Sequence, residues 1–188
     1  NAGMAAVLER IGAPDLAVTG EPTGLEVVRA QAGLAVLTAT WRGRSCHAAH
    51  VTRVEHENAL MLAAQDLATF PRPTPFSGEH PLLGPSTLTP TVLHSGERHN
   101  KVPDLAEAVF DARLAAPHDA EECLDVLRRQ LPHAEPRVRS KRLAAVETSE
   151  EHPLVRAALR HAGRAPAIGS TTLSDMALLP GIPAVKVG

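Results

Sequence analysis

The sequence has few of the residues that mark several common classes of protein. Aromatic side chains make up only 2% of its 188 residues, so the core must be built mainly from Ala, Leu and Val, which the 44% hydrophobic content allows. The net charge is −2 and the basic residues are scattered, which excludes the basic stripe of a nucleic-acid-binding protein. The two cysteines, Cys46 and Cys123, form no disulfide framework and favour a reducing, cytoplasmic location. No apolar run is long enough to span a membrane.

Four segments in the middle of the chain have the residue pattern of β-strands. They are Leu34–Trp41, Leu88–Leu93, Leu105–Leu114 and Arg137–Val146. Pro90 indicates either an edge position or a late start for the second of them, and the basic residues indicate an edge position for the fourth. Two apolar stripes of helical spacing separate the strands, one running from Leu60 to Ala68 and one following Asp119, which forms a capping box with Glu122. The order strand-helix-strand-strand-helix-strand predicts a ferredoxin-like βαββαβ fold.

Helix–strand pairs flank this middle region on both sides. Before it, helical spacing over Met4–Ile11 precedes a predicted buried strand at Leu16–Val18. After it, a helix follows Pro153 and a strand covers Ile182–Val187. We therefore predict an α+β protein in which a ferredoxin-like domain, residues 33–146, is inserted into a partial α/β domain formed by residues 1–32 and 147–188. Because the first residue is not Met and the last predicted strand stops abruptly, we expect a piece of a longer protein.

Glu21 lies in the motif VTGEPTG at the end of the first predicted strand. Open α/β sheets place their ligands at the carboxyl ends of strands, so Glu21 is a candidate for ligand or metal binding. The alternative is structural, because Gly20, Pro22 and Gly24 would form a turn around any residue at position 21. On this motif alone, the turn is the favoured interpretation.

The motif RGRSCHAAH contains Cys46, His47 and His50. A Cys–His nucleophile pair needs side chains that face each other, whereas adjacent residues of an extended strand point to opposite faces, so Cys46 and His47 form a poor dyad. A zinc site would need further ligands, and Glu55 and His56 fit no established spacing. An exposed pair of histidines is the default interpretation.

Two further motifs carry candidate binding residues. Asn100 and Arg113 are the first and last residues of NKVPDLAEAVFDAR, and an arginine among apolar neighbours can bind a carboxylate through two hydrogen bonds. A salt bridge from Arg113 to Asp111 or Glu107 is the favoured alternative. The hydroxyl-rich segment GSTTLSD, residues 169–175, caps a helix or lines a pocket, and capping is favoured.

Each of these motifs is a modest signal alone, but their shared order and spacing carry more information than any one of them. The runs LAVTGEPTGLEVV, GLAVLTATWRGRSCHAAH, HNKVPDLAEAVFDAR and STTLSDMALLPGIPAVKVG closely resemble the acetylornithine deacetylase and succinyl-diaminopimelate desuccinylase family. Members of this family are zinc-dependent aminoacylases and carboxypeptidases. The resemblance covers nearly the whole chain, least well at Pro71–Pro90. It implies an α/β catalytic domain split by a ferredoxin-like lid that pairs two subunits into a homodimer.

The resemblance also implies a role for each candidate residue. Glu21 would bind one zinc ion of a two-metal centre, in which cobalt or manganese is the alternative metal. His47 would reach from the lid into the active site of the partner subunit and polarise the substrate carbonyl, while Cys46 faces the other way. Asn100 and Arg113 would bind the carboxylate end of an N-acyl amino acid, with acetylornithine or a close relative as the expected substrate.

Most of the metal centre of this family has no counterpart in the sequence. Its His-x-Asp motif, bridging aspartate and Glu-Glu pair precede the Gly-Glu-Pro-Thr element, and only twenty residues precede Glu21 here. We therefore expect the 188-residue chain to be inactive alone. The alternative is a non-catalytic dimerisation or small-ligand-binding module, because a ferredoxin-like fold by itself implies no activity. A third interpretation, a cysteine-dependent hydrolase, rests only on Cys46 and His47.

Overall fold

The chain forms two β-sheets and four α-helices in the computed structural model, which describes residues 2–72, 75–179 and 181–188. The helices are α1 (Ala2–Ile11), α2 (Ala59–Ala68), α3 (Ala120–Gln130) and α4 (Pro153–Ala162). The strands are β1 (Ala17–Gly20), β2 (Val28–Gln31), β3 (Gly33–Arg42), β4 (Thr87–Ser95), β5 (Leu105–Leu114), β6 (Ala134–Leu143), β7 (Val146–Glu147), β8 (Ile168–Ser170) and β9 (Ala184–Val187). Short 3₁₀ helices cover Ala48–His50 and Asp175–Leu178.

The middle of the chain forms a four-stranded antiparallel sheet, which we call the lid sheet. Its strand order is β4-β5-β3-β6, with α2 and α3 packed on one face. Together with the chain order β3-α2-β4-β5-α3-β6, this is the predicted ferredoxin-like arrangement, and the mixed α and β fold class is confirmed. The edge position predicted for β6 is also correct, and of the two alternatives for β4 the edge position is the correct one.

Alternating side chains determine which face of the lid sheet is buried. One face of β3 and β5 is apolar and is covered by the helices. Its residues are Ala35, Leu37, Ala39, Trp41, Ala106, Ala108, Phe110, Ala112 and Leu114. Helix α3 contributes the predicted stripe, and Asp119 caps it by accepting hydrogen bonds from the amides of Glu121 and Glu122. The Glu122 carboxylate bonds the His118 ring, so the second half of the predicted capping box is replaced by a side-chain pair.

The predicted apolar stripe of α2 was partly wrong. Leu60 and Ala64 are exposed, whereas the Asp66 carboxylate faces the core. Asp66 is buried because it is fully hydrogen-bonded: the Trp41 indole donates to it at 2.8 Å, and the His133 amide and ring contact it at 3.2 and 2.7 Å.

The flanking segments form the second sheet, of order β1-β9-β2-β7, with β8 paired to β2. β1 runs parallel to β9, and β8 runs parallel to β2. Helix α4 packs against this sheet through Val155, as its apolar spacing predicted. The prediction of a buried strand at Leu16–Val18 was wrong. β1 lies at the edge of the sheet, Val18 within it is 58% exposed, and Leu16 just before it is 50% exposed. β2, β7 and β8 have no counterpart among the strands predicted from the sequence.

Two close contacts lie near the junction of the two sheets. Where β2 leads into β3, a Cβ added at Gly33 would collide with the backbone between Leu143 and Ala145. In the loop before β4, the His80 ring bonds Glu147 at 3.0 Å, and the Leu82 carbonyl lies where a Cβ of Gly169 would be. The loop therefore packs directly on the second sheet.

No helix within the described ranges is both long and apolar enough to cross a bilayer.

Candidate functional site

Glu21 lies immediately after β1, beside a cavity of about 400 Å³. Its amide donates to the Val187 carbonyl at 3.3 Å, and its carbonyl accepts from the Thr23 amide at 2.8 Å, so the residue also forms the predicted turn. Cavity walls come from this turn and from β8, β9 and the segment after β8. The half-buried Glu21 carboxylate therefore reaches a cavity at the end of a strand, which is where α/β sheets bind ligands.

Lys186 is a functional candidate that no sequence motif indicated. It lies on β9, is only 2% exposed and lines the same cavity as Glu21. Its ammonium donates to the Ser170 hydroxyl at 2.9 Å, the Thr172 carbonyl at 2.9 Å and the Thr172 hydroxyl at 3.3 Å. Burial lowers the pKa of Lys186, and the Glu21 carboxylate partly offsets that effect. The cavity is thus lined by one acidic side chain, Glu21, and one basic side chain, Lys186.

The hydroxyl-rich segment, residues 169–175, both caps a helix and lines a cavity, which were the two predicted alternatives. Ser174 caps the 3₁₀ helix at Asp175 by accepting from the Met176 amide, and it donates to the side chain of Gln31 at 2.6 Å. Ser170 and Thr172 line the Glu21 cavity, and their hydroxyls lie 2.8 Å apart. The Gln31 carboxamide nitrogen is buried without a hydrogen-bond partner in the described part of the chain. This buried polar network fixes the segment beside the cavity.

Arg113 forms the predicted salt bridge and also touches the second sheet. Its Nε and Nη2 atoms donate to the two carboxylate oxygens of Asp111 at 2.7 and 3.1 Å. Its Nη1 atom donates to the Thr171 carbonyl at 3.2 Å. Arg113 is therefore adjacent to the cavity of Glu21, at the end of β5 nearest the second sheet.

His47 and Asn100 lie together at the opposite end of the lid sheet, where β3 ends and β5 begins. The Ala48 amide donates to the Asn100 carbonyl at 2.9 Å, and the Val102 amide donates to the Cys46 carbonyl at 2.9 Å. These bonds hold the two segments side by side. We call this end, residues 44–50 and 96–104, the lid tip.

The His47 ring is exposed, and one of its two nitrogens is hydrogen-bonded to the backbone. Its Nδ1 atom accepts a hydrogen bond from the Ala49 amide at 3.1 Å and thereby caps the short 3₁₀ helix. In a neutral ring the proton then resides on Nε2, which is the hydrogen-bond donor that a carbonyl oxygen needs. The His50 ring lies 5.5 Å away between centroids, and Cys46 is a half-buried free cysteine.

The lid sheet separates the candidate residues into two groups. β3 and β5 pair in full register from Gly33 with Leu114 to Arg42 with Leu105. Ten residues of strand span roughly 30 Å. Within one chain, His47 and Asn100 at the lid tip are therefore far from Glu21 and Arg113, so the structure does not bring Asn100 and Arg113 together.

The described residues do not form a metal site by themselves. No group of three or more His, Cys, Asp or Glu side chains within 2–72, 75–179 and 181–188 is arranged to hold a metal ion. Glu21 shares its cavity with a buried ammonium, whereas metal centres in proteins gather several electron-donating ligands. On their own, these residues do not fit a metal centre.

Comparison with known proteins identifies a family model and several similar folds. The model described as the peptidase dimerisation domain matches residues 29–139. Aminopeptidase PepT from Bacillus cereus is 22% identical, with a TM-score of 0.77 over 100% of this chain and 52% of its own. A tripeptidase from Staphylococcus aureus is 19% identical, with a TM-score of 0.71 over 99% and 52%. YXEP from Bacillus subtilis, a dinuclear metal-binding peptidase of the M20 family, is 18% identical, with a TM-score of 0.63 over 97% and 49%.

At these identities the structural likeness shows the fold alone. The chain spans about half the length of the three structures. No curated protein matches it.

Proposed function

The chain belongs to the M20 peptidase dimerisation domain family, and from this premise we infer that it is the lid-centred part of a metal-dependent amide hydrolase that works as a homodimer. The family match supports the lid, and the fold neighbours described as peptidases support the hydrolase. We also propose the domain division 1–32, 33–146 and 147–188, in which the lid interrupts the catalytic domain.

The proposed substrate is an N-acyl amino acid, with acetylornithine or a close relative first, and the proposed metal is zinc. The motifs that resemble acetylornithine deacetylases support this choice. Arg113 supports it chemically, because a guanidinium beside the cavity is suited to the carboxylate of an amino acid. The intact enzyme would contain two metal ions, with Glu21 as one ligand and the other ligands outside this chain.

The separation between the lid tip and Glu21 is the single observation that carries the proposed architecture of the site. A neutral His47 ring has an Nε2 donor for an oxyanion, but within one chain a strand of roughly 30 Å separates the lid tip from the end of the lid sheet nearest Glu21. A two-fold axis can bring the lid tip of one subunit to the cavity of the other. We therefore propose that each active site combines Glu21 and Arg113 of one subunit with His47 and Asn100 of the other.

Mixed dimers of the intact enzyme that contains this chain test the proposal directly. Glu21→Ala and His47→Ala subunits should each be inactive as homodimers against N-acetylornithine with zinc. A mixture of the two should recover about a quarter of wild-type activity, because half of the dimers are mixed and each mixed dimer keeps one intact site. No recovery in dimers shown to be mixed would contradict a shared site. The purified 188-residue chain should hydrolyse nothing, and turnover by it would contradict the proposed division.

The alternative, a non-catalytic dimerisation or small-ligand-binding module, has one observation in its favour. A second cavity of about 370 Å³ lies beside the lid tip, lined by residues that include His94, Glu97, Lys101 and Asp104. Under this alternative, the 188-residue chain itself would bind a small ligand without zinc. Isothermal titration of the purified chain with N-acetylornithine distinguishes the two, since the hydrolase proposal expects no measurable binding by the isolated chain.

A further inference from the structure

Two cations from different sheets hold one turn of the chain beside Glu21. We call residues 170–172 the hydroxyl turn. Arg113 of the lid sheet donates to the Thr171 carbonyl at 3.2 Å, and Lys186 of the second sheet donates to the Thr172 carbonyl at 2.9 Å. Adjacent peptide groups are therefore bound from opposite sides of the junction between the sheets.

The two cations differ strongly in burial. Lys186 is 2% exposed, while the Arg113 side chain is 34% exposed. An ammonium has three N–H donors, and Lys186 directs them to two acceptors on Thr172 and one on Ser170, with the Gln31 oxygen at 3.4 Å as a fourth neighbour. Removing this ammonium would take one shared donor away from Ser170, Thr172 and Gln31 together, which should loosen the hydroxyl turn.

Arg113 makes a contact that solvent and ligands can replace. Asp111 occupies the edge formed by Nε and Nη2, so the Thr171 carbonyl is bound through the remaining nitrogen, Nη1. A ligand carboxylate that approaches the edge formed by Nη1 and Nη2 competes with this carbonyl. Because the site is partly exposed, water can also satisfy the carbonyl after release.

We propose that Lys186 is a positioning residue that fixes the hydroxyl turn in the Glu21 cavity, whereas Arg113 holds the same turn by a bond that a ligand carboxylate displaces. This deepens the proposed function, since it rests on Glu21 being part of the active site. It also explains how Arg113 can bind a substrate without disturbing the cavity wall. The buried Lys186 keeps the hydroxyl turn in place when the bond from Arg113 to the Thr171 carbonyl breaks.

Amide hydrogen exchange of the 188-residue chain tests the anchor, read by mass spectrometry on a peptide covering residues 168–174. Lys186→Met keeps the apolar stem and removes the donors, so exchange in this peptide should become at least about tenfold faster. Lys186→Arg, which restores a cation with several donors, should recover part of the protection. Arg113→Met should change exchange in the peptide by less than about twofold. Lys101→Met, at an exposed lysine paired with Asp104, is the matched control and should have no effect there.

Unchanged exchange over residues 168–174 in a folded Lys186→Met variant would overturn the proposal, as would an equal effect of Arg113→Met. Equal loss of protection in the Met and Arg variants would assign Lys186 a packing role only and would also overturn it. If Lys186→Met does not fold, Ser170→Ala removes one acceptor and should accelerate exchange in the same peptide. The measurement needs neither metal nor turnover, so its outcome is independent of whether the mixed dimers are active.

Discussion

At the scale of single residues, the two cysteines differ in burial and therefore in reactivity. Cys123 is fully buried in α3, and burial raises the pKa of its thiol to about 12, with the neighbouring Glu122 and Asp119 adding to the effect. Because the thiolate is the reactive form, Cys123 should be inert at pH 8 in the folded chain, while the half-buried Cys46 should react.

Titration with a chromogenic disulfide reagent at pH 8 checks this prediction. We expect one thiol to react without denaturant and two to react in denaturant. Cys46→Ser should remove the fast phase and leave only the slow one. Rapid labelling of Cys123 in that variant, without unfolding, would contradict the burial argument.

Single residues also show where sequence reasoning succeeds and where it stops. The pairing of Arg113 with Asp111 was predictable, because both lie two residues apart on one face of a strand. Burial of Lys186 was not, since its acceptors include Ser170 and Thr172 from another strand and the turn after it. Nothing local to the segment PAVKVG encodes those partners. The site roles of Glu21 and His47 stay predictions.

At the scale of elements, Asp66 joins α2 to the lid sheet and should contribute strongly to stability. Its carboxylate binds the Trp41 indole and both the amide and the ring of His133, and it is 2% exposed. Asp66→Ala would leave buried donors without an acceptor, so the free energy of unfolding should fall by about 2–4 kcal/mol. Trp41 is the only tryptophan and the chain has no tyrosine, so its fluorescence in urea reports the unfolding of this core.

A surface aspartate provides the control for that measurement. Asp125 pairs with Arg128 at 3.0 Å on the exposed face of α3, where such pairs contribute little. Asp125→Ala should change the free energy of unfolding by less than about 0.5 kcal/mol. An equally small change for Asp66→Ala would show that the buried network does not stabilise the lid.

Long helices and strands in which buried and exposed residues alternate regularly were predictable from the sequence, whereas short ones were not. β3 and β5 are ten residues long with one face fully buried, so their alternation is unambiguous. β7 has two residues and β8 has three, too few to show any period, and both depend on pairing with β2. The face of α2 was misjudged because a buried carboxylate has the sequence signature of an exposed one.

At the scale of the whole molecule, the lid sheet has one edge suited to a second copy of the chain. β4 pairs only with β5 among the described strands, so its other edge is open. Leu93 on β4 is paired in register with Ala108, whose side chain faces the helices, so Leu93 lies on the same face as α2. Leu93 and the α2 residue Met61 are 42% and 62% exposed.

A homodimer formed through this edge would bury those apolar side chains, extend the sheet and satisfy the two-fold symmetry that a shared active site requires. Charges at the centre of such an interface should disrupt it, so the Met61→Glu, Leu93→Glu double variant should weaken the proposed dimer at least about tenfold. Sedimentation velocity across a concentration series measures the change. Leu25→Glu, at a residue 56% exposed outside the lid, is the matched control and should leave the dimer intact. If the double variant sediments as a dimer of wild-type affinity while its Trp41 fluorescence shows a folded core, the partner must bind another face of the lid.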